Sequence, residues 1–215
     1  MRPGWHHRPG TDGPCRGAVV PRSSLPEPLV HKIPTLFVRD PENRKRLLPE
    51  VAPECAWVVA GEGAATRKYD GTCVLRDEAG EWWARREVRP GRVAPPGYLA
   101  ISTDSRTGKA MGWEPMAGST FLRFHAEALD GTGTDFAPGT YELVGPRING
   151  NPEGVARHTL LRHGWMAPDV AAEFAAAPRD FGALRAWVTA RPYEGVVWHH
   201  PDGRRAKLKV RDFGA

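Results

Sequence analysis

The stretch GVVWHHPDGRRAKLKVRD, residues 195–212, has the pattern of a β-hairpin. β-Branched and aromatic residues flank a short turn with Asp and Gly, an arrangement typical of two antiparallel strands. A second hairpin is predicted for residues 72–88, with its turn at Glu78-Ala79-Gly80. The 24 Gly and 21 Pro among 215 residues indicate many further turns. We therefore expect an α+β fold built on antiparallel sheets with flanking helices.

The remaining elements follow from propensity and from the placement of Pro and Gly. We predict strands at residues 33–38, 56–60 and 140–144, helices at 41–48, 168–176 and 179–190, and a long irregular segment at 89–115. In the last helix an apolar stripe should face the core, formed by Phe181, Leu184, Trp187 and Val188.

The chain is expected to contain one folded domain, residues 29–215, preceded by a flexible basic tail, residues 1–28. The tail is rich in Pro, Gly, Arg and His and has no apolar periodicity. Its His6, His7 and Cys15 lack the partner spacing of metal ligands, which favours a solvated cluster.

Cysteine content and hydropathy indicate the compartment. Cys15, Cys55 and Cys73 form no CxxC pair, so the sequence predicts neither a disulfide framework nor a thiolate zinc site. Reduced thiols, together with the absence of a spanning apolar run or a secretory signal, predict a cytoplasmic protein without membrane contact. We expect a monomer.

The net charge of +5 favours an anionic partner, because Arg carries much of it in a form suited to bidentate phosphate contact. Nucleic acid is the first candidate. Charge alone does not decide this, since net charge reports on non-specific binding rather than on a particular site.

The run Lys68-Tyr69-Asp70-Gly71-Thr72 contains a candidate nucleophile. A lysine attacks phosphorus only when it is unprotonated, so neighbouring cations such as Arg67, or Arg85 and Lys207 brought near by folding, would favour the reactive form. In an extended segment Asp70 would share a side with Lys68 and would orient the amine or a hydrated Mg²⁺. Taken alone, the run also fits an exposed turn with accidental charges.

Further charged side chains support a phosphate site. On a strand Lys207 and Lys209 share one face, whereas Leu208 and Val210 take the other, so two ammonium groups can face a polyphosphate. Glu142 and Glu194 add carboxylates that would hold a hydrated Mg²⁺. Each of these charges, taken singly, also fits a solvated strand face.

The order of five short motifs along the chain resembles that of the lysine-nucleophile nucleotidyltransferases, which comprise DNA ligases, RNA ligases and mRNA-capping guanylyltransferases. The resemblance rests on five short motifs, Lys68-Tyr69-Asp70-Gly71, Trp83-Ala84-Arg85, Tyr141-Glu142-Leu143-Val144, Glu194-Gly195-Val196-Val197 and Lys207-Leu208-Lys209.

The residues Gly61-Glu62-Gly63, Thr72-Cys73, 145–152, His163-Gly164 and Trp198-His199 extend the likeness to the stand-alone ATP-dependent RNA ligase 1 family, over residues 32–214. Several RNA ligases place an acidic residue before the lysine, where this chain has Arg67. The resemblance implies a nucleotidyltransferase adenylation domain around an ATP cleft. Because the last motif lies near residue 215, no OB-fold domain is expected.

The resemblance also implies roles. Lys68 would form a covalent Lys68-AMP intermediate from ATP, with Mg²⁺ or alternatively Mn²⁺, and would pass AMP to RNA with 5′-phosphate and 3′-hydroxyl ends in RNA repair. The ATP and phosphate contacts would come from Arg85, Glu142, Glu194, Lys207 and Lys209. The metal would be held through water by Asp70, Glu142 and Glu194, the last two of which fit ribose contacts as well.

Other assignments stay open. Trp165, Phe121 and Trp198 are equally available to stack on adenine, and His163 fits either a nucleotide contact or a structural role. The motifs indicate the formation of a lysine phosphoramidate better than they indicate the base of the nucleotide or whether the acceptor strand is RNA or DNA. A GTP-dependent guanylyltransferase and a DNA-nick ligase therefore remain alternatives. A non-catalytic RNA-binding module is the alternative outside enzymes.

Overall fold

The structure is a computed structural model that describes residues 32–131 and 135–214. The predicted basic tail, with His6, His7 and Cys15, lies outside the described residues.

The described chain contains mainly strands, with four short α-helices. The strands are β1 Phe37–Arg39, β2 Leu47–Val51, β3 Ala64–Lys68, β4 Thr72–Arg76, β5 Trp82–Val88, β6 Leu99–Thr103, β7 Ala110–Pro115, β8 Gly139–Val144, β9 Thr159–Arg162, β10 Gly195–His199 and β11 Arg205–Lys209. The helices are α1 Ala56–Val59, α2 Leu122–Asp130, α3 Pro168–Ala175 and α4 Phe181–Thr189.

Three antiparallel sheets organise these strands. The largest has six strands in the order β6-β7-β5-β4-β8-β9, the second has three in the order β11-β10-β3, and β1 pairs with β2. Every strand pairing in the three sheets is antiparallel. The predicted mixture of helices with antiparallel sheets is therefore confirmed.

Both predicted hairpins form. In the three-stranded sheet, Val197 of β10 lies opposite Lys207 of β11. On its other side β10 pairs with β3, which brings Gly195 opposite Lys68. Residues far apart in sequence are thereby joined in one sheet, with Lys68 at the end of β3.

Strand alternation divides each sheet into a core face and a second face. In the three-stranded sheet Val196, Trp198, Ala206 and Leu208 are fully buried against residues of α1, α3 and α4. In the six-stranded sheet Val74, Ala84, Tyr141 and Leu143 share a core with residues of α2. The predicted core stripe of α4 is confirmed, because Leu184 and Val188 are buried and Phe181 and Trp187 pack beside them.

The predicted helix at residues 41–48 is wrong. The Asp40 carboxylate accepts hydrogen bonds from the backbone N–H groups of Glu42 and Asn43, which turns the chain. Leu47 then enters β2 opposite Arg39 and is buried. Pairing with β1 and burial of Leu47 outweigh the local signal from Pro41.

The predicted strand at residues 56–60 is also wrong, because Ala56–Val59 is the helix α1. The consecutive residues Trp57 and Val58 are both buried while Val59 is 42% exposed. A strand would point successive side chains to opposite faces, so this burial pattern suits a helical turn better than a strand.

The irregular segment predicted at residues 89–115 contains two strands, β6 and β7, so that prediction is wrong for its second half. β7 pairs with β5 on one side and with β6 on the other. A Cβ on Gly112 would lie 2.2 Å from the Leu99 carbonyl oxygen, so glycine here permits close strand packing. The prolines and glycines of residues 89–98 led us to extend the irregular segment too far along the chain.

Within the described ranges, no helix has the length and apolar character needed to cross a bilayer.

Candidate functional site

A cleft of about 940 Å³ lies between the second faces of the six-stranded and three-stranded sheets. Its described lining includes three acidic residues, Glu87, Asp104 and Glu142, but nine basic ones, which are Lys32, Arg67, Lys68, Arg85, Lys109, Arg205, Lys207, Lys209 and Arg211. Walls of one dominant charge sign concentrate the field in such a cleft. The cleft is therefore suited to a multiply charged anion.

Lys68 stands at the end of β3 with its amine held by a carboxylate. Its Nζ donates to Glu194 Oε2 at 2.5 Å, and Lys209 Nζ donates to the other oxygen, Oε1. Glu194 directly precedes β10, which is the strand paired with both β3 and β11. The register of the three-stranded sheet thus places one carboxylate between two ammonium groups.

The charges of Lys68 and Lys209 determine the protonation state of Glu194. Burial raises the pKa of Glu194, but the charge of Lys68 and the hydrogen bonds from Lys209 and Lys68 outweigh burial and leave that pKa below its usual value. Glu194 is consequently ionised at neutral pH, and it fixes the position of the Lys68 amine.

Lys207 is the cation most affected by its surroundings. Burial, followed by the charges of Lys209, Lys68 and Lys32, lowers its pKa to about 8. An anion bound beside Lys207 would favour the charged ammonium and would offset the effect of burial and of the neighbouring cations on that form. As the sequence predicts, Lys207 and Lys209 face the cleft and Leu208 lies in the core.

Arg85 lines the opposite wall, on β5 of the six-stranded sheet. Its guanidinium lies 5.7 Å from the centre of the Trp113 ring. The five residues predicted for ATP and phosphate contacts thus gather at one place, since Arg85, Glu142, Lys207 and Lys209 line the cleft and Glu194 contacts Lys68 and Lys209.

The turn after Lys68 is braced by a loop that follows β8. The Glu153 carboxylate pairs with Arg67 and also accepts the Asp70 backbone N–H at 2.8 Å. Asn149 donates to the Asp70 carboxylate at 3.0 Å and to the Gly71 carbonyl at 2.8 Å. These contacts hold the candidate nucleophile's segment on both sides.

Asp70 itself is not among the described residues that line the cleft. Its predicted orientation beside Lys68 depended on an extended segment, but β3 ends at Lys68 and β4 begins at Thr72. The carboxylate of Asp70 is instead engaged by Asn149.

Glu142 faces the cleft from β8 and is held by two groups. The Gly71 backbone N–H donates to its Oε1 at 3.1 Å, and His163 Nε2 lies 2.9 Å from its Oε2. The other ring nitrogen of His163 lies 2.9 Å from Thr140 Oγ1. Cys73 is directly opposite Glu142 in the pairing of β4 with β8.

The three carboxylates predicted for Mg²⁺ do not form one group. Across the described residues, the set of three or more potential ligand atoms lying close together comes from Cys73, Glu142 and His163, not from Asp70, Glu142 and Glu194. Mg²⁺ usually keeps several waters and is bound by one or two carboxylates together with substrate phosphates. The donor set here does not fit a preformed Mg²⁺ cage, and the role of these carboxylates in metal binding stays a prediction.

Of the aromatic candidates for adenine stacking, Trp198 is fully buried in the core and has no free ring face. Trp165 is 60% exposed, and Phe121, which immediately precedes α2, packs against the core of the six-stranded sheet. The described cleft lining contains none of the three but includes Tyr69.

Two cleft residues, His199 and Arg205, were given no role by the sequence. Arg205 follows the same alternation as Lys207 and Lys209, so strand periodicity was the signal that could have found it. Burial and the charges of Arg205 and His163 lower the pKa of His199 to about 4. The neutral ring lies 3.0 Å from Thr66 Oγ1. Asn149 lies in residues 145–152, which are part of the resemblance, but it was given no role, and no comparable signal marked Glu153.

No protein-family model matches the chain, and no curated protein matches it significantly.

Proposed function

We propose that the protein is an ATP-dependent RNA ligase in which Lys68 forms a covalent bond to AMP. The observation that carries this proposal is the placement of the Lys68 amine. It is held at 2.5 Å by Glu194 on the wall of a cleft whose described lining has nine basic and three acidic residues. A positioned amine beside a site for a polyphosphate is what attack on a nucleotide requires.

We also propose that the domain has the nucleotidyltransferase fold. The support is topological, because all five motif segments contribute residues to one cleft although these residues come from β3, β5, β8, β10 and β11. The segment that begins at Glu194 contributes Val197, and its strand β10 joins β3 to β11. A set of unrelated surface charges would have no reason to converge in this way.

In the first step the Lys68 ammonium releases a proton to solvent, and its neutral Nζ attacks the α-phosphorus of ATP. A phosphorus–nitrogen bond forms, the bond from that phosphorus to the bridging oxygen breaks, pyrophosphate leaves, and the nitrogen releases a second proton to solvent. Phosphoryl transfer depends mainly on positioning and on neutralising charge. Lys207, Lys209 and Arg85 supply the charge, and Glu194 keeps the amine in place.

In the second step a 5′-phosphate oxygen of RNA attacks the adenylyl phosphorus, the phosphorus–nitrogen bond breaks, and Lys68 takes up a proton from solvent and leaves as the amine. In the third, a 3′-hydroxyl loses its proton to solvent and attacks the activated 5′-phosphorus, forming a phosphodiester bond and releasing AMP. The basic cleft supports an RNA backbone as the acceptor, because phosphate contacts provide much of the affinity in such complexes. Repair of cleaved RNA is the role we propose.

Intact mass after incubation with ATP, and separately with GTP, tests the covalent step in buffers that contain Mg²⁺ or Mn²⁺. We expect one added AMP from ATP, none from GTP, and no adduct in Lys68→Ala or Lys68→Arg. Lys45→Ala is the matched control, since Lys45 is exposed and outside the cleft lining. An adduct that persists in Lys68→Ala would refute Lys68 as the nucleophile, and a GMP adduct would favour a guanylyltransferase.

Sealing assays test the acceptor, with 5′-phosphorylated RNA and DNA of the same sequence. We expect joined RNA from the native chain and from Lys45→Ala, and loss of joining in Lys68→Ala. Joining of nicked DNA alone would indicate a DNA ligase. Salt-dependent RNA binding with no adduct under any condition would indicate a non-catalytic RNA-binding module.

A further inference from the structure

Three side chains with potential metal-ligand atoms meet on the cleft wall of the six-stranded sheet. They come from neighbouring positions, Cys73 on β4, Glu142 on β8 and His163 immediately after β9. One potential ligand atom from each of the three lies within 4.8 Å of the other two. All three residues line the cleft.

The strand pairing of the six-stranded sheet brings these three side chains together. Cys73 and Glu142 are directly opposed in the antiparallel register, so their side chains project from the same face. The His163 backbone N–H donates to the Thr140 carbonyl at 3.1 Å, which continues the β8–β9 pairing and brings the imidazole beside Glu142. The grouping is thus fixed by backbone hydrogen bonds rather than by mobile loops.

The spacing of the three donor atoms can be compared with that in a tetrahedral metal site. With metal–ligand distances of about 2.0–2.3 Å, tetrahedral ligand atoms are about 3.5 Å apart. Here the separation of His163 Nε2 and Glu142 Oε2 is 2.9 Å, and no pair exceeds 4.8 Å. Side-chain rotations that move these atoms by about 1 Å would admit the ion.

Supporting contacts orient two of the three donors. Thr140 Oγ1 lies 2.9 Å from His163 Nδ1, and its hydroxyl can accept the Nδ1 proton so that Nε2 presents its lone pair. The Gly71 N–H holds the other oxygen of Glu142. Metal-bound histidines and carboxylates characteristically have such hydrogen-bonded partners.

We propose that Cys73, Glu142 and His163 form a three-ligand binding site for Zn²⁺ or for a divalent ion of similar preference, with a fourth position open to the cleft. A thiolate, an imidazole and a carboxylate together select zinc-like ions over Mg²⁺, which prefers oxygen ligands. The thiolate and the carboxylate neutralise the two charges of the ion, which limits repulsion from the basic cleft. The Cys73 thiol releases its proton to solvent on binding.

This site does not depend on ATP or RNA chemistry. Its ligands are distant in sequence and belong to no CxxC pattern, which explains why cysteine spacing gave no sign of it. Three protein ligands with an open position leave room for water or for a phosphate oxygen.

The test uses the tag-free full chain titrated with Co²⁺, whose bond to a thiolate gives an absorption band in the near ultraviolet, followed by displacement with Zn²⁺. We expect one Co²⁺ per chain, a thiolate band and its loss on addition of Zn²⁺. Cys73→Ser should abolish the band. His163→Ala should weaken Zn²⁺ affinity by at least about tenfold, because even the loss of a hydrogen-bonded partner of a metal ligand has an effect of that size.

Cys15→Ser and Cys55→Ser are the matched controls. Cys55 is fully buried and donates to the Thr35 carbonyl, so it is not available to an added ion. Both variants should keep the band. Absence of a thiolate band in the native chain would overturn the proposal, as would a band that persists in Cys73→Ser or one that is lost in Cys15→Ser. Circular dichroism of each variant separates loss of binding from loss of folding.

Discussion

Replacing Lys207 with methionine should make the free protein more stable at neutral pH while removing its affinity for polyphosphate. Lys207 is partly buried, and burial and neighbouring lysines lower its pKa from an ordinary 10.5 to about 8. The folded state therefore disfavours the charged ammonium. Methionine keeps the apolar stem of the side chain and removes the charge.

The magnitude follows from linkage. The difference between the two pKa values corresponds to about 3 kcal/mol, at about 1.4 kcal/mol for each pH unit. Because some solvent reaches the amine, about 1–3 kcal/mol of added stability is expected for Lys207→Met at pH 7. Between pH 8 and 10.5 the unfolded chain binds more protons at Lys207 than the folded chain, so the native protein gains stability as pH rises. By pH 9.5 the advantage of the variant should have fallen by about half.

Urea unfolding at pH 7 and pH 9.5, with and without pyrophosphate, measures both effects. Pyrophosphate should stabilise the native chain and leave Lys207→Met nearly unchanged. Lys45→Met is the control, since an exposed substitution should alter stability by no more than about 0.5 kcal/mol. A variant less stable than the native chain at pH 7, or one still stabilised fully by pyrophosphate, would refute the reasoning.

Three further outcomes are expected from urea unfolding. Gly71→Ala should cost about 2 kcal/mol, because its Cβ would lie 2.3 Å from the Leu143 carbonyl oxygen, whereas Gly118→Ala meets nothing within 4 Å and should change little. Glu194→Gln should be less stable than the native chain by about 1–3 kcal/mol at pH 7. That gap should close as pH falls below 4.5, because the carboxylate with its lowered pKa stabilises only while ionised. Leu208→Ala, in the fully buried core, should cost about 2–5 kcal/mol.

Local sequence was sufficient where short-range rules decide structure. The turn residues between β10 and β11, and those between β4 and β5, predicted both hairpins. Helix propensity and the placement of Pro predicted α3 and α4, and apolar spacing predicted the buried face of α4. Period-two alternation placed Lys207 toward the cleft and Leu208 in the core. These features depend on neighbours within a few residues, so the sequence contains their cause.

Local rules failed where distant contacts outweighed propensity. Residues 56–60 have strand-forming side chains, yet Trp57 and Val58 are buried together and the segment is helical. β7 formed inside a predicted loop because β5 and β6 pair with it. Sheet pairing contributes hydrogen bonds and burial that no single segment supplies.

The sequence by itself determined the antiparallel architecture, the lysine candidate and the face on which the β11 lysines lie. Only the tertiary structure decided which groups meet. It placed Glu194 between Lys68 and Lys209, and Cys73 opposite Glu142. The physical reason is strand register, which joins positions distant in sequence through backbone hydrogen bonds and fixes which side chains share a face.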